Sequence, residues 1–327
     1  MNKQTDSSKL LTLVNNRLAT ICDGRQPSSL YDPIRYVLSI GGKRLRPMLM
    51  LLAYNIYKDN PNDIIDVACG IETYHNYTLL HDDLMDNADL RRSHPTVHRK
   101  WDANTAILSG DSMLVLAYQL VCQAPQQKLG KMVTLFTKTA LEIGEGQQFD
   151  MDFEHRNDVS VDEYIEMIRL KTSVLLACSL QMGACLADAP EADADLLYAF
   201  GEKLGLAFQL QDDYLDVYGD SEVFGKAIGG DIVSNKKTFM LINALLRADS
   251  QQRQQLMAWI EATDFDAAEK IEQVTRLYND IGIRQLAIET INSYYDEAMT
   301  LLDKLPVDSQ RTAALRAYAR ELMKREK

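Results

Sequence analysis

Nearly every segment of the chain repeats its apolar residues at the 3.6-residue spacing of an α-helix, and no set of alternating strands interrupts them. The pattern predicts amphipathic helices over 7–21, 30–40, 48–57, 64–86, 105–122, 131–153, 161–187 and 193–217, with charged-faced helices from 239 onward. The stretch 89–96 reads as an irregular link. Gly144 and Gly146 lower helix propensity enough to predict close backbone approaches.

Few Gly and Pro residues and no low-complexity tract favour one continuous domain, 1–327, with 46% hydrophobic residues to build its core. No uncharged apolar run is long enough to span a membrane, and the polar N-terminus lacks a signal peptide's hydrophobic centre. These features predict a cytoplasmic protein with no integral membrane segment. The five cysteines show no metal-ligand spacing and read as buried free thiols. A net charge of −12 argues against nucleic acid as a partner. Any bound phosphate must then be held by local clusters of Lys and Arg, or bridged to carboxylates by a cation.

Both devices are present. Asp82, Asp83 and Asp86 end one long helical stretch, and Asp212, Asp213 and Asp216 end another about 130 residues later. Carboxylates one helical turn apart repel each other. A lone DDxxD is more simply a solvated helix end, but two copies point to divalent cations, and sparse oxygen ligands with open positions suit Mg²⁺. Basic residues follow each glycine turn: Lys43, Arg44 and Arg46 after Gly41-Gly42, and Lys236 and Lys237 after Gly229-Gly230. Arg91 and Arg92 lie just beyond the first acidic motif, either as phosphate forks or as ion-pair partners of its aspartates. Lys171, flanked by Met167, Ile168, Leu175 and Leu176, is either a snorkelling surface residue or a charge kept for an internal anion.

The ordered set GGKRLRP (41–47), ETYHNYTLLHDDLMD (72–86), LRRSHPTVH (90–98), KT (171–172), FQLQDDYLD (208–216), GKAIGGD (225–231) and KKT (236–238) resembles the trans-isoprenyl diphosphate synthases. One departure is Ser93, where that family usually carries Gly. The resemblance implies an all-α isoprenoid synthase fold, a dozen or so helices around a deep central cavity, in a homodimer. It implies that Asp82, Asp86 and Asp212 hold three Mg²⁺ against an allylic diphosphate, supported by Asp83, Asp213 and Asp216. Arg91, Lys171, Lys226 and Lys236 would bind that diphosphate. Lys43, Arg46, His75 and Arg92 would bind isopentenyl diphosphate.

In such chemistry the allylic C–O bond ionises, and Thr172, Gln209 and carbonyls beside Lys171 would face the carbocation. His81, His94 and His98 then read as structural or phosphate contacts rather than bases. A terpene cyclase would not need the isopentenyl ligands, and a non-catalytic subunit would be expected to lack an intact acidic triad. Product length is expected to depend on Tyr74, Tyr77 and Thr78, upstream of Asp82 on its helix. Two tyrosines closing the floor resemble short-chain members, with the fifteen-carbon product favoured over the twenty-carbon one and longer chains as the alternative.

Overall fold

A computed structural model of the protein describes residues 7–219 and 228–324. Among these residues the regular elements are helices apart from one two-stranded hairpin, as the periodicity predicts. They divide into two compact units. The first holds residues up to Lys138 with Cys178–Tyr198 and Leu305–Leu315. The second holds Thr139–Ala177, Ala199–Lys304 and the segment from Arg316 onward.

The first unit contains α1 (Ser7–Thr20), α2 (Ser28–Ser39), α3 (Leu45–Tyr57), α4 (Ile65–Met85), a hairpin of β1 (Leu90–Arg91) and β2 (His94–Pro95), α5 (Val97–Lys100), α6 (Ala103–Val121) and the start of α7 (Leu129–Glu154). Almost all of α3 is buried, as befits a helix apolar on every side. Helix α4 packs closely on α6 at Gly70, where a Cβ would stand 3.0 Å from the Ala117 carbonyl oxygen. Helix α3 starts two residues before Pro47, because Arg44 adopts left-handed backbone (φ 49°) and caps it, leaving the proline in the first turn where no N–H is missed. Arg44 is consumed by structure. Its guanidinium reaches Glu72 at 2.9 Å, Asn15 at 3.1 Å and the Leu38 carbonyl at 2.6 Å, and both ion-pair partners are buried. This pair ties α1, α2, α3 and α4 around the Gly41-Gly42 turn.

The expected irregular link is instead an antiparallel hairpin pairing Leu90 with Pro95 and Arg91 with His94. Its two-residue loop, Arg92 and Ser93, is left-handed at both positions (φ 53° and 63°). This twist suits a tight hairpin and explains why glycine is favoured at the second position; Ser there costs about 1 kcal/mol.

The second unit contains the rest of α7, α8 (Val161–Ile168), the beginning of α9 (Val174–Leu186), the end of α10 (Glu191–Tyr218), α11 (Gly230–Val233), α12 (Phe239–Arg247), α13 (Ser250–Glu261), α14 (Ala267–Ile281), α15 (Ile283–Asp303) and the end of α16 (Ser309–Leu322). Its core joins Tyr164, Ile168, Leu210, Tyr214, Phe239 and Tyr278. Helix α8 begins with a capping box of Ser160 and Glu163. The helix expected to run unbroken over 161–187 is interrupted by a π turn, Arg169–Ser173. Its widened backbone fits because Gly146 of α7 and Gly205 of α10 have no side chain. A Cβ on Gly146 would lie 2.8 Å from the Lys171 Cα, and one on Gly205 would lie 2.6 Å from the Ser173 Cα. Gly144, by contrast, faces open space. Four cysteines are buried free thiols as expected, whereas Cys122, capping the end of α6, is exposed. Among the described residues no helix is long and apolar enough to cross a membrane.

Candidate active site

In the first unit, α4 ends at its acidic motif. Asp82 lies in the last turn, and Asp86 is the C-cap, its amide donating to the Asp82 carbonyl at 2.8 Å. A helix C-terminus carries partial negative charge, so three aspartates there are destabilising unless a cation joins them. Asp83 is buried. Arg91 donates to it from Nη2 at 2.5 Å and from Nε at 3.0 Å, forming an ion pair. Burial pushes the Asp83 carboxyl up, against the opposing pull of Arg91.

Arg92 takes a different partner. Its Nη1 donates to the Gly41 carbonyl, and its guanidinium fills the space over Gly42, where a Cβ would lie 2.7 Å from Cζ. The hairpin thereby meets the glycine turn that leads to Lys43, which is exposed, and Arg46. Arg46 is half-buried. Its Nε is sealed from solvent with no acceptor among the described residues, and burial pulls its pKa down to about 10. His75 is driven well below its usual range by burial and then by Arg46, Arg92, Arg91 and Arg44. A neutral imidazole among four guanidinium groups marks a strongly electropositive corner in an acidic protein.

Further along α4 the aromatic residues cluster. Tyr74 is buried, with its ring 5.5 Å from Tyr77 and 5.2 Å from Phe136; Tyr118 stands 4.8 Å from Phe136. The Thr78 hydroxyl is spent on the His75 carbonyl at 2.8 Å. Phe136 and Tyr118 escaped the sequence reading because their distance from the acidic motif along the chain hides their proximity to Tyr74. The His81 ring lies over Gly110 and contacts the Ile107 carbonyl at 3.3 Å, a packing role made possible by the missing side chain. His94 Nδ1 contacts the Arg92 carbonyl at 2.8 Å inside the hairpin. Both ring nitrogens of His98 are shielded without a partner among the described residues.

The second unit builds a connected network. Thr172, in the π turn, donates to Gln209 Oε1 at 3.0 Å, and Gln209 Nε2 donates to Asp213 at 3.1 Å. Asp213 also accepts the Tyr164 hydroxyl. Burial, with the charge of Asp231 added, pushes Asp213 up to about 7. Asp216 accepts the Asp231 amide at 2.9 Å on its carboxylate, and its carbonyl accepts the Gly229 amide at 2.6 Å. Asp231 is itself pushed up to about 6 by burial and by Asp216 and Asp212, although Lys236 pulls the other way.

Lys171 extends to Asp150 on α7 at 2.6 Å, and Lys236 stands 3.9 Å from the same carboxylate oxygen. Burial raises Asp150, but the two lysines outweigh it and hold its carboxyl below the usual range. Lys171, part-buried, is thus paired with a carboxylate of the same unit. Asp150 and Asp231 were missed as site residues; the run GEGQQFDMD, opposite the KT motif, was the available signal for the first. Lys226 lies outside the described residues.

The donor set fits Mg²⁺. The acidic motifs offer hard carboxylate oxygens, the ligand type Mg²⁺ takes; among the described residues no group of three or more His, Cys, Asp or Glu side chains is already gathered to hold a metal ion.

Comparisons with known proteins agree with this chemistry. The sequence profile of the Polyprenyl synthetase family matches residues 27–278. A short chain isoprenyl diphosphate synthase of Methanocaldococcus jannaschii is 38% identical, over 76% of this chain and 75% of that one. A geranylgeranyl diphosphate synthase of Methanosarcina mazei is 36% identical, over 89% and 88%. A crystal structure of a geranylgeranyl pyrophosphate synthase superimposes with a TM-score of 0.93 at 42% identity, covering 100% of both chains. With its motifs set on an all-α isoprenoid synthase fold, the chain belongs to the polyprenyl synthetase family and is a short-chain trans-prenyltransferase.

Proposed function

We propose that the protein condenses isopentenyl diphosphate with allylic diphosphates to make geranylgeranyl diphosphate. The observation that carries this reading is the electropositive corner of Arg46, Arg92 and neutral His75 in the same unit as an intact acidic motif. A synthase needs an anion site for isopentenyl diphosphate beside its metal ligands; a cyclase does not. Similarity to geranylgeranyl diphosphate synthases favours the twenty-carbon product over the fifteen-carbon one expected from the two tyrosines.

In this reading Asp82 and Asp86 of the first unit and Asp212 of the second would serve as Mg²⁺ ligands, three ions being what the family resemblance implies, with Asp83, Asp213 and Asp216 supporting them. The ions, when bound, neutralise the diphosphate and stabilise it as a leaving group. Lys171 and Lys236, held around Asp150, and Arg91, held by Asp83, add fixed positive charge to the same diphosphate. As the allylic C–O bond breaks, the Thr172 and Gln209 oxygens supply dipoles to the cation without a strong nucleophile. Lys43, Arg46, His75 and Arg92 orient isopentenyl diphosphate so that its double bond attacks the allylic cation, and the new carbocation gives up a proton to the released diphosphate, restoring an alkene. His75 acts as a neutral hydrogen-bonding group.

We further propose a homodimer built on α6, which exposes Ile107, Leu108 and Val115, and a cytoplasmic location. Incubation with isopentenyl diphosphate, farnesyl diphosphate and Mg²⁺, followed by chromatography, tests the assignment. A twenty-carbon product is expected; failure to extend farnesyl diphosphate, with fifteen-carbon product from geranyl diphosphate, would replace it with a farnesyl synthase.

A further inference from the structure

Lys270, on α14, is a cation that the chemistry above does not use, and it is 1% exposed. Its ammonium donates to Asn235 Oδ1 at 2.7 Å and to the Val233 carbonyl at 3.3 Å, and stands 4.2 Å from the centre of the Phe265 ring. An ammonium withdrawn from water is costly, and a Met or Leu would fill the same volume without that cost. What lysine adds is direction: donors aimed at one loop.

That loop matters because of what it carries. Asn235 adopts left-handed backbone (φ 55°), a conformation asparagine tolerates better than most residues. Its side-chain amide is held at both ends, by Lys270 at Oδ1 and, through Nδ2, by the Ile260 carbonyl at 3.0 Å. The next residue is Lys236, whose amide donates to the Asp231 carbonyl at 2.9 Å and whose ammonium reaches toward Asp150. The other end of the segment rests on the same helix. Gly229, left-handed at φ 86°, sits against Ile271, where a Cβ would lie 2.6 Å from Cδ1. Adjacent residues of α14 thus support both ends of the segment that holds Asp231 and leads into Lys236.

We propose that Lys270 is a positioning residue for the allylic diphosphate: by fixing Asn235 it sets the backbone from which Lys236 reaches Asp150. This rests on the assignment of Lys236 to that diphosphate. Lys270 touches neither substrate nor metal, so its contribution is to geometry.

Steady-state kinetics against both substrates, with thermal unfolding alongside, test the proposal in Lys270→Met, Asn235→Gly and Lys236→Ala. Asn235→Gly keeps the left-handed backbone and loses only the side-chain bonds, so it carries the comparison if Lys270→Met does not fold. All three are expected to raise KM for the allylic diphosphate about tenfold while KM for isopentenyl diphosphate moves less than about twofold. If Lys236→Ala raises the allylic KM but the other two change only melting temperature or active fraction, Lys270 is structural and the proposal is overturned. If Lys236→Ala itself leaves that KM unchanged, the assignment of Lys236 falls and the proposal falls with it.

Discussion

The Tyr164 hydroxyl donates to the buried carboxylate of Asp213, and it does so from a helix whose own start is fixed by a capping box. The bond orients a group that metal-free protein carries at a cost. Asp213 and Asp231 both have folded-state pKa values above the unfolded range, about 7 and about 6. A carboxyl shifted upward favours the fold while protonated, so its contribution declines as pH rises from about 4 to 7 and levels off above.

The first prediction follows. In metal-free protein, Asp213→Asn should be more stable than wild type at pH 8 by on the order of 2 kcal/mol, and the difference should shrink toward pH 5. Thermal melts across pH check this. A constant difference would mean that the Asp213 charge is not what destabilises the protein.

The second prediction separates the two diphosphates. Arg46→Ala and Arg92→Ala should raise KM for isopentenyl diphosphate by about tenfold or more, and Lys171→Ala should mainly impair use of the allylic substrate. Initial rates with each substrate varied in turn decide the matter. Equal effects of all three substitutions on both substrates would contradict the division.

Product length gives the third. Tyr77→Ala opens the half-buried ring nearest the acidic motif, and Tyr74→Ala and Phe136→Ala remove the cluster behind it. At least one of these variants should make longer products, read by chromatography of the dephosphorylated alcohols. Unchanged products from all three would show that the floor lies elsewhere. Phe136→Ala should also lower stability by about 3–5 kcal/mol, because the ring is fully buried.

The fourth concerns assembly. Val115 is 68% exposed on α6, beside Ile107 and Leu108 on the same stretch of helix. Light scattering at micromolar concentration should find a dimer, and Val115→Asp should weaken it. An active wild-type monomer would refute the proposed interface.

Much of this was legible in the sequence because helical period and ordered motifs are local signals. The helix leading into Asp82, the turn before Arg46 and the KT step at Lys171 all follow from neighbours along the chain. What escaped was set by tertiary approach. Arg92-Ser93 carries no Asn-Gly signal, so the hairpin it closes read as irregular. The π turn at Lys171 depends on two glycines, Gly146 and Gly205, brought to it from other helices. Asp150, Asp231 and Lys270 each take their meaning from a partner distant in sequence, and Arg44, read as one more phosphate cation, is committed to Glu72.

The central claim is that both acidic motifs bind the Mg²⁺ that drives ionisation of the allylic diphosphate. Its most direct test is turnover of Asp82→Ala and Asp212→Ala beside wild type, with folding monitored by circular dichroism and with EDTA added and then titrated out by Mg²⁺. The account predicts folded variants slowed by about 10³-fold or more, and wild-type activity that vanishes in chelator and returns with the metal. Undiminished wild-type turnover in excess EDTA, or full activity in either variant, would contradict it.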